Sequence, residues 1–299
     1  RSVDARGDAV QRYVDILTNG GFKALFGDVR NKEAVMTIMN ALLPDHRKVA
    51  DIEYMPTEHQ GQVVDNKEYH YDCMCRDSEG TVFIVEMQNA HQTYFRDRAL
   101  FYSCYPIINQ AGLARKKHFE EYGNTISFRW NFRLQPVRFI ALLNFRMKHD
   151  EGWPDDRCHS SYHIREDSTQ ELMHDKLQFI FLELTRFEKN EDELISPYDK
   201  WMFLFKNMFR LKARPKVFDG NEYDRLFEMS KFSNFTAEEF DSYKNAEKMI
   251  WDYYNTIDAA PEVGREKGRT ETIAKLLAAG FDEEAIAKAL GVSVEELHK

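Results

Sequence analysis

The chain reads as an α/β protein built on a mixed sheet, in the order helix, three-strand meander, helix, strand, with a helical extension toward the C-terminus. Three patterns carry this reading. Residues 67–88 alternate with period two on both sides of a glycine-bearing turn, an antiparallel hairpin signal. Residues 137–145 form an almost continuously apolar run, as expected of a strand buried on both faces. Between these strands, Phe95, Ala99, Tyr102 and Tyr105 recur at helical spacing, so the chain leaves and re-enters one sheet through a right-handed crossover.

Taken in order, residues 22–43 read as a helix in which Ala34/Val35, Ile38/Met39 and Leu42 form one buried stripe, stopped by Pro44. A short strand follows at 50–54. In the hairpin, residues 68–76 put Tyr71, Cys73 and Cys75 on one face and His70, Asp72 and Met74 on the other. Residues 81–88 put Phe83, Val85 and Met87 on one face, and Val82, Ile84, Glu86 and Gln88 on the other. A three-residue loop, 78–80, with Gly80 left-handed pairs Asp77 with Thr81. The register then runs Cys75 to Phe83, Cys73 to Val85, Tyr71 to Met87, and on the opposite face Met74 to Ile84, Asp72 to Glu86 and His70 to Gln88. A slip of one residue would mix apolar and polar faces.

Pro106 is expected to kink or interrupt the crossover helix. Residues 160–165 and 177–184 are expected to add strands, and 197–257 reads as helical and aromatic-rich. Pro261 and Gly264 mark a break before a charged segment and a small helical tail, where Ser293 and Glu296 form a capping box. That tail has the outline of a helix-turn-helix, but its second helix is acidic and suits assembly better than a DNA groove. The expected organisation is a core over 1–190, a helical region over 191–260 and a linker with tail over 261–299.

Composition bounds the function. A hydrophobic fraction of 43% and 22 phenylalanines are ample for a large core. No run reaches the length of a membrane-spanning helix, and the first residues carry no signal-peptide pattern. The four cysteines are sparse and lack zinc spacing, which points to reduced thiols and a cytoplasmic setting. A net charge of −9 argues against a protein that coats nucleic acid nonspecifically, although local basic clusters occur at Arg96/Arg98 and at Arg115, Lys116 and Lys117.

Asp72 opposite Glu86 is the chemically informative pair. Like charges directly opposed on a sheet are destabilising. Either they face water on a solvated edge, or a cation between them reverses the sign; oxygen ligands of this type suit magnesium, manganese or calcium.

The spacing from Asp72 to Glu86-Met87-Gln88 resembles the PD-(D/E)xK nuclease signature, in the recombination-promoting nuclease (transposase) branch where Glu-x-Gln commonly replaces Glu-x-Lys. Phe22-Lys23-Ala24-Leu25-Phe26-Gly27, Asn31-Lys32 and Met39-Asn40-Ala41-Leu42-Leu43-Pro44 resemble that family's opening segment. Asp51-Ile52-Glu53-Tyr54, Asp175-Lys176-Leu177 with Phe181-Leu182-Glu183-Leu184, and Trp201 continue the similarity in order. So do Gly264-Arg265-Glu266-Lys267-Gly268-Arg269 and Ile286-Ala287-Lys288-Ala289-Leu290-Gly291. Two departures stand out. Tyr71-Asp72 replaces the eponymous Pro-Asp, and Thr18-Asn19-Gly20-Gly21 stands where an acid usually precedes Phe-Lys.

The resemblance implies a restriction-endonuclease-like core and a magnesium- or manganese-dependent DNA endonuclease tied to transposition or recombination. A catalytically weak or inactive member that binds DNA or protein is the alternative. Asp72, Glu86 and the Met87 carbonyl would hold the metal. Gln88, about 7 Å along the strand from Glu86, would orient water without supplying charge. Lys23 is the substitute cation the resemblance implies, Arg98 the one read from the next helix, and Glu33 the acid available on the first helix. Arg96, Arg98, Arg115 and Lys116 are the candidate DNA contacts; assembly with further copies of the chain stays open.

Overall fold

A computed structural model describes residues 12–27, 29–44, 47–59, 69–89, 92–236, 238, 240, 241 and 244. The chain divides into two compact units, Arg1–Lys244 and Asn245–Lys299, and every described residue lies in the first. The expected linker and tail over 261–299 therefore fall outside the described residues.

Two α-helices, α1 (Asn19–Phe26) and α2 (Lys32–Leu42), stand where the sequence predicts one. Gly27 caps α1 through its N–H to the Lys23 carbonyl, and a 3-10 turn, Val29–Asn31, redirects the chain. The buried Asn31 then ties the two helices together, its amide donating 2.7 Å to the Leu25 carbonyl. The apolar stripe of α2 is buried as expected at Ala34, Val35, Ile38 and Met39.

Strand β1 (Ile52–Tyr54) is shorter than read from the sequence. A two-stranded ribbon, β2 (Glu58–His59) and β3 (Tyr69–His70), precedes the hairpin strands β4 (Cys73–Asp77) and β5 (Val82–Gln88). The crossover is a 28-residue helix, α3 (Phe95–Tyr122). Then come β6 (Val137–Leu143), β7 (His159–His163) and β8 (Leu177–Glu183). The main sheet has the order β1-β4-β5-β6-β8-β7. Strands β1, β4 and β5 form the antiparallel meander, β6 joins β5 in parallel, β8 joins β6 in parallel, and β7 closes the edge antiparallel to β8. Every residue of β5 and β6 is buried, which explains their near-continuous apolar character.

The sheet separates two cores. On one face Cys73, Cys75, Phe83, Val85, Met87, Ile140 and Leu142 pack with α1, α2, α4 (Pro197–Asn207) and α5 (Asn221–Met229). On the other, Met74, Val82, Ile84, Phe139 and Ala141 pack under Phe95 and Ala99 of α3. Residues 211–220, read as helical, form bends and a 3-10 turn between α4 and α5.

The hairpin register is the one its loop dictates: Cys73 pairs with Val85, Met74 with Ile84 and Cys75 with Phe83. Gly80 is left-handed at φ 91°, the Asp77 N–H donates to the Thr81 carbonyl, and Asp77 Oδ1 accepts the N–H groups of Glu79 and Thr81. Before Cys73 the expected register fails. The chain bends at Asp72, so Tyr71 joins the α3-side core instead of the face of Cys73 and Cys75. His70 pairs with Glu58 of β2, not with Gln88, and Tyr71 N–H donates to the Thr57 carbonyl, not to β5.

Pro106 does not interrupt α3. A proline has no N–H, so the Tyr102 carbonyl loses its usual helical partner. The Tyr71 hydroxyl supplies a donor to that carbonyl at 3.0 Å, and the two tyrosine rings meet edge to face at 5.5 Å. The helix stays whole because a side chain from the sheet answers the lost bond.

Candidate active site

The β4–β5 ladder ends at Cys73 and Val85, and beyond that point side chains of Asp72 and Glu86 complete the pairing. Met87 N–H donates 2.8 Å to Asp72 Oδ2, and Asp72 N–H donates 3.3 Å to Glu86 Oε1. Each carboxylate thus caps the backbone beside the other. They are neighbours across the strand end, through side chains and not as a backbone pair.

Glu86 is only 2% exposed. Burial, with the Asp72 charge next in weight, pushes its carboxyl up to about 8 against an ordinary 4.5, while Arg98 and the hydrogen bonds from Asp72 and Gln88 act in the opposite sense. Asp72 is also raised, chiefly by burial, and held back by the Met87 N–H and by the Lys23 and Arg98 charges. Two desolvated carboxyls side by side resist joint ionisation unless more positive charge arrives.

The flanking groups form a closed circuit. Gln88, buried on β5, donates 3.2 Å to Glu86 Oε2. Its own carbonyl accepts from Gln92 Nε2 at 2.7 Å, and Gln92 in turn accepts from Arg98 Nη1 at 3.3 Å. Arg98 Nη2 returns to Glu86 at 4.0 Å, with its guanidinium over the Tyr102 ring at 4.8 Å. The circuit fixes which end of the Gln88 amide faces Glu86. Gln92 escaped the sequence reading because it sits in an irregular segment with no periodicity.

Lys23, exposed in the last turn of α1, bears electrostatically on Asp72. Glu33 is exposed in the first turn of α2, and among the described residues no third acid, histidine or cysteine joins Asp72 and Glu86. Arg96 points elsewhere: it donates to the Lys148 carbonyl and lies over the Tyr162 ring. Arg115 and Lys116 lie far along α3, exposed, with Lys116 paired to Glu120 at 3.8 Å.

The donor set suits a hard divalent cation. Asp72 and Glu86 supply carboxylate oxygens, and a strand residue projects N–H and C=O to the same edge, so the Met87 carbonyl faces the Asp72 side. A second buried acid offers a contrast. Glu183, at the end of β8, already holds His149 at 2.9 Å, Arg186 at 2.8 Å and the Met147 N–H. That carboxylate is neutralised by fixed partners. Among the described residues, the cations bearing on the Asp72–Glu86 pair are Arg98, at the limit of contact, and Lys23.

Residues 17–260 match the family described as PD-(D/E)XK nuclease family transposase. The chain belongs to that family, and its six-stranded mixed sheet with flanking helices is the restriction-endonuclease-like fold. No curated protein and no solved structure matches it. Membership supports a nuclease linked to transposition. Among the described residues no helix is long and apolar enough to cross a membrane.

Proposed function

We propose that the chain is a magnesium- or manganese-dependent DNA endonuclease, hydrolysing phosphodiester bonds in a transposition or recombination setting in the cytoplasm. The observation that carries this reading is the buried Asp72–Glu86 pair, with Glu86 pushed up to about 8 by burial and by the neighbouring Asp72 charge. In this reading Asp72, Glu86 and the Met87 carbonyl hold the ion. Such an ion supplies Lewis-acid activation of water and offsets charge at the scissile phosphate.

The chain's own residues do the rest. Gln88 orients a water through its amide, and the Gln92–Arg98 arm holds that amide in place. Arg98, and Lys23 on the Asp72 side, supply the positive charge that a lysine would contribute at the Gln88 position. Arg96, Arg115 and Lys116 remain proposed DNA contacts along α3.

One observation favours the second reading, a weak or inactive family member that binds DNA or protein: Gln88 is neutral, and one N–H and the oxygen of its amide are already committed to Glu86 and Gln92. Incubating supercoiled plasmid with the pure chain, with magnesium and with chelator, separates the two. Magnesium-dependent relaxed or linear product supports the nuclease. Intact plasmid under both conditions favours the binding module.

A further inference from the structure

We infer that the C-terminal half of α3 and the loop 123–136 form a second nucleic-acid site that takes an unpaired, single-stranded segment of DNA. The inference rests on the DNA-acting reading above and concerns a surface separate from the carboxylate pair. A groove of about 600 Å³ runs between that half of the helix and the β4–β5 hairpin. Its floor is apolar, with Met55, Met74, Val82, Tyr105 and Leu113. Its walls carry Lys116, Lys117, Arg133 and Trp130.

Three features of this groove and of the loop at its edge point to a stacked, anionic chain as occupant. The protein is acidic overall, at −9, yet cations gather here. Among the described residues Lys117 and Arg133 have no carboxylate partner; Glu120, the acid in the lining, is engaged by Lys116. Second, the loop places two aromatic residues around an asparagine and between two arginines, Arg129-Trp130-Asn131-Phe132-Arg133. Trp130 and Phe132 have ring centroids 4.8 Å apart, and Phe132 is 76% exposed. Third, Phe132 is held in the left-handed region at φ 59°, which costs energy for an aromatic residue and is tolerated where the surroundings fix it. The loop is tied to α3 near both ends, where Gln110 and Gln135 exchange reciprocal hydrogen bonds at 3.1 and 2.7 Å and His118 meets the Ile126 carbonyl at 2.7 Å, and beside Phe132 the Arg133 N–H donates 3.1 Å to Asn131 Oδ1.

Bases stack on aromatic side chains whatever their sequence, and the phosphates between them need cations, so this pattern suits a single strand. The groove is also connected to the carboxylate pair. Val82 lines it and Glu86 lies four residues along the same strand on the same sheet face, ~13 Å away at strand rise. A strand lying in the groove would be held beside the cleavage position without occupying it.

The test is fluorescence anisotropy of a labelled oligothymidylate with the full chain in chelator, repeated across salt concentrations. Trp130→Ala should weaken binding about tenfold or more, and Trp130→Phe should restore most of it. Phe132→Ala, at an exposed position, should also weaken binding, with an unchanged thermal melt as the control. Lys117→Glu with Arg133→Glu should weaken it and lower the salt slope by about 1–2. Wild-type affinity in all of these variants overturns the inference, as does duplex DNA displacing the oligonucleotide better than single strands do. Plasmid nicking in parallel separates the two claims. Nicking with groove-independent oligonucleotide binding removes this site and keeps the nuclease; groove-dependent binding without nicking does the reverse.

Discussion

The Tyr71 hydroxyl donates 3.0 Å to the Tyr102 carbonyl, the acceptor that Pro106 deprives of its helical partner. The bond does more than repair a helix. Tyr71 immediately precedes Asp72, and Tyr102 lies one turn beyond Arg98, whose guanidinium rests on the Tyr102 ring. One interaction therefore links the strand end that carries Asp72 to the helix whose Arg98 lies 4.0 Å from Glu86.

Tyr71→Phe keeps the ring contact and removes the donor, leaving a half-buried carbonyl without that partner. The expected loss of stability is about 1–3 kcal/mol, read by denaturant unfolding. Because Asp72 loses its anchor, nicking should fall by more than the fraction of unfolded protein accounts for. Wild-type stability and activity would show that the Tyr102 carbonyl needs no donor from the sheet.

The pH dependence of stability has a definite sign. Glu86 is pushed up to about 8 in the fold against an ordinary 4.5, so the folded chain holds a proton that the unfolded chain has released between those values. Its contribution is present below about 4.5 and is lost as pH rises to 8; Asp72, also raised, acts in the same direction. Chelated protein should therefore melt progressively lower from about pH 5 to pH 8, by roughly 1–3 kcal/mol in stability. Magnesium should raise the melting temperature more at the upper end. Glu86→Gln should flatten the chelated profile; an equally steep profile in that variant assigns the dependence to other groups.

Arg98 and Gln88 should trade places as sources of charge. Arg98→Ala should lower nicking on the order of 10²-fold, since a charge aimed at the reacting phosphate is worth a few kcal/mol. In the wild-type background Gln88→Lys should not raise activity, because Arg98 already lies 4.0 Å from Glu86 and a second cation competes for the same carboxylate. In Arg98→Ala the same lysine should recover part of the loss. No recovery, with Gln88→Ala equal to wild type, would remove Gln88 from the site.

Gly80 tests the hairpin that sets the register. Its φ of 91° disfavours any side chain, so Gly80→Ala should cost about 1–2 kcal/mol. A thermal melt unchanged from wild type would show that the turn relaxes without it.

The hairpin was legible because turn chemistry and period-two alternation agree from Cys73 to Val85. The same reasoning sets Asp72 opposite Glu86, whereas the Met87 N–H that binds Asp72 and the Gln92 contact beside the pair are not readable from alternation. The alternation continues through Tyr71 on paper, whereas the chain bends at Asp72 and sends Tyr71 to the other core. That bend depends on β2 and on Pro106, both distant in sequence, which a local pattern does not encode. The break between α1 and α2 is hidden similarly, because residues 22–43 read as one helix and no local pattern marks Gly27 as its stop. Arg98 was found by helical spacing, whereas Gln92 enters only through a three-dimensional circuit of hydrogen bonds. Arg129 to Arg133 escapes a reading by periodicity because its loop has none, although its two aromatics between two arginines stand in the sequence.

The central claim is that Asp72 and Glu86 together hold the ion that cuts DNA. The direct measurement is nicking of supercoiled plasmid in magnesium by wild type, Asp72→Ala and Glu86→Ala, each shown to be folded by its thermal melt. The account predicts nicking by wild type and loss to background in both variants. Undiminished nicking by either folded variant would contradict it.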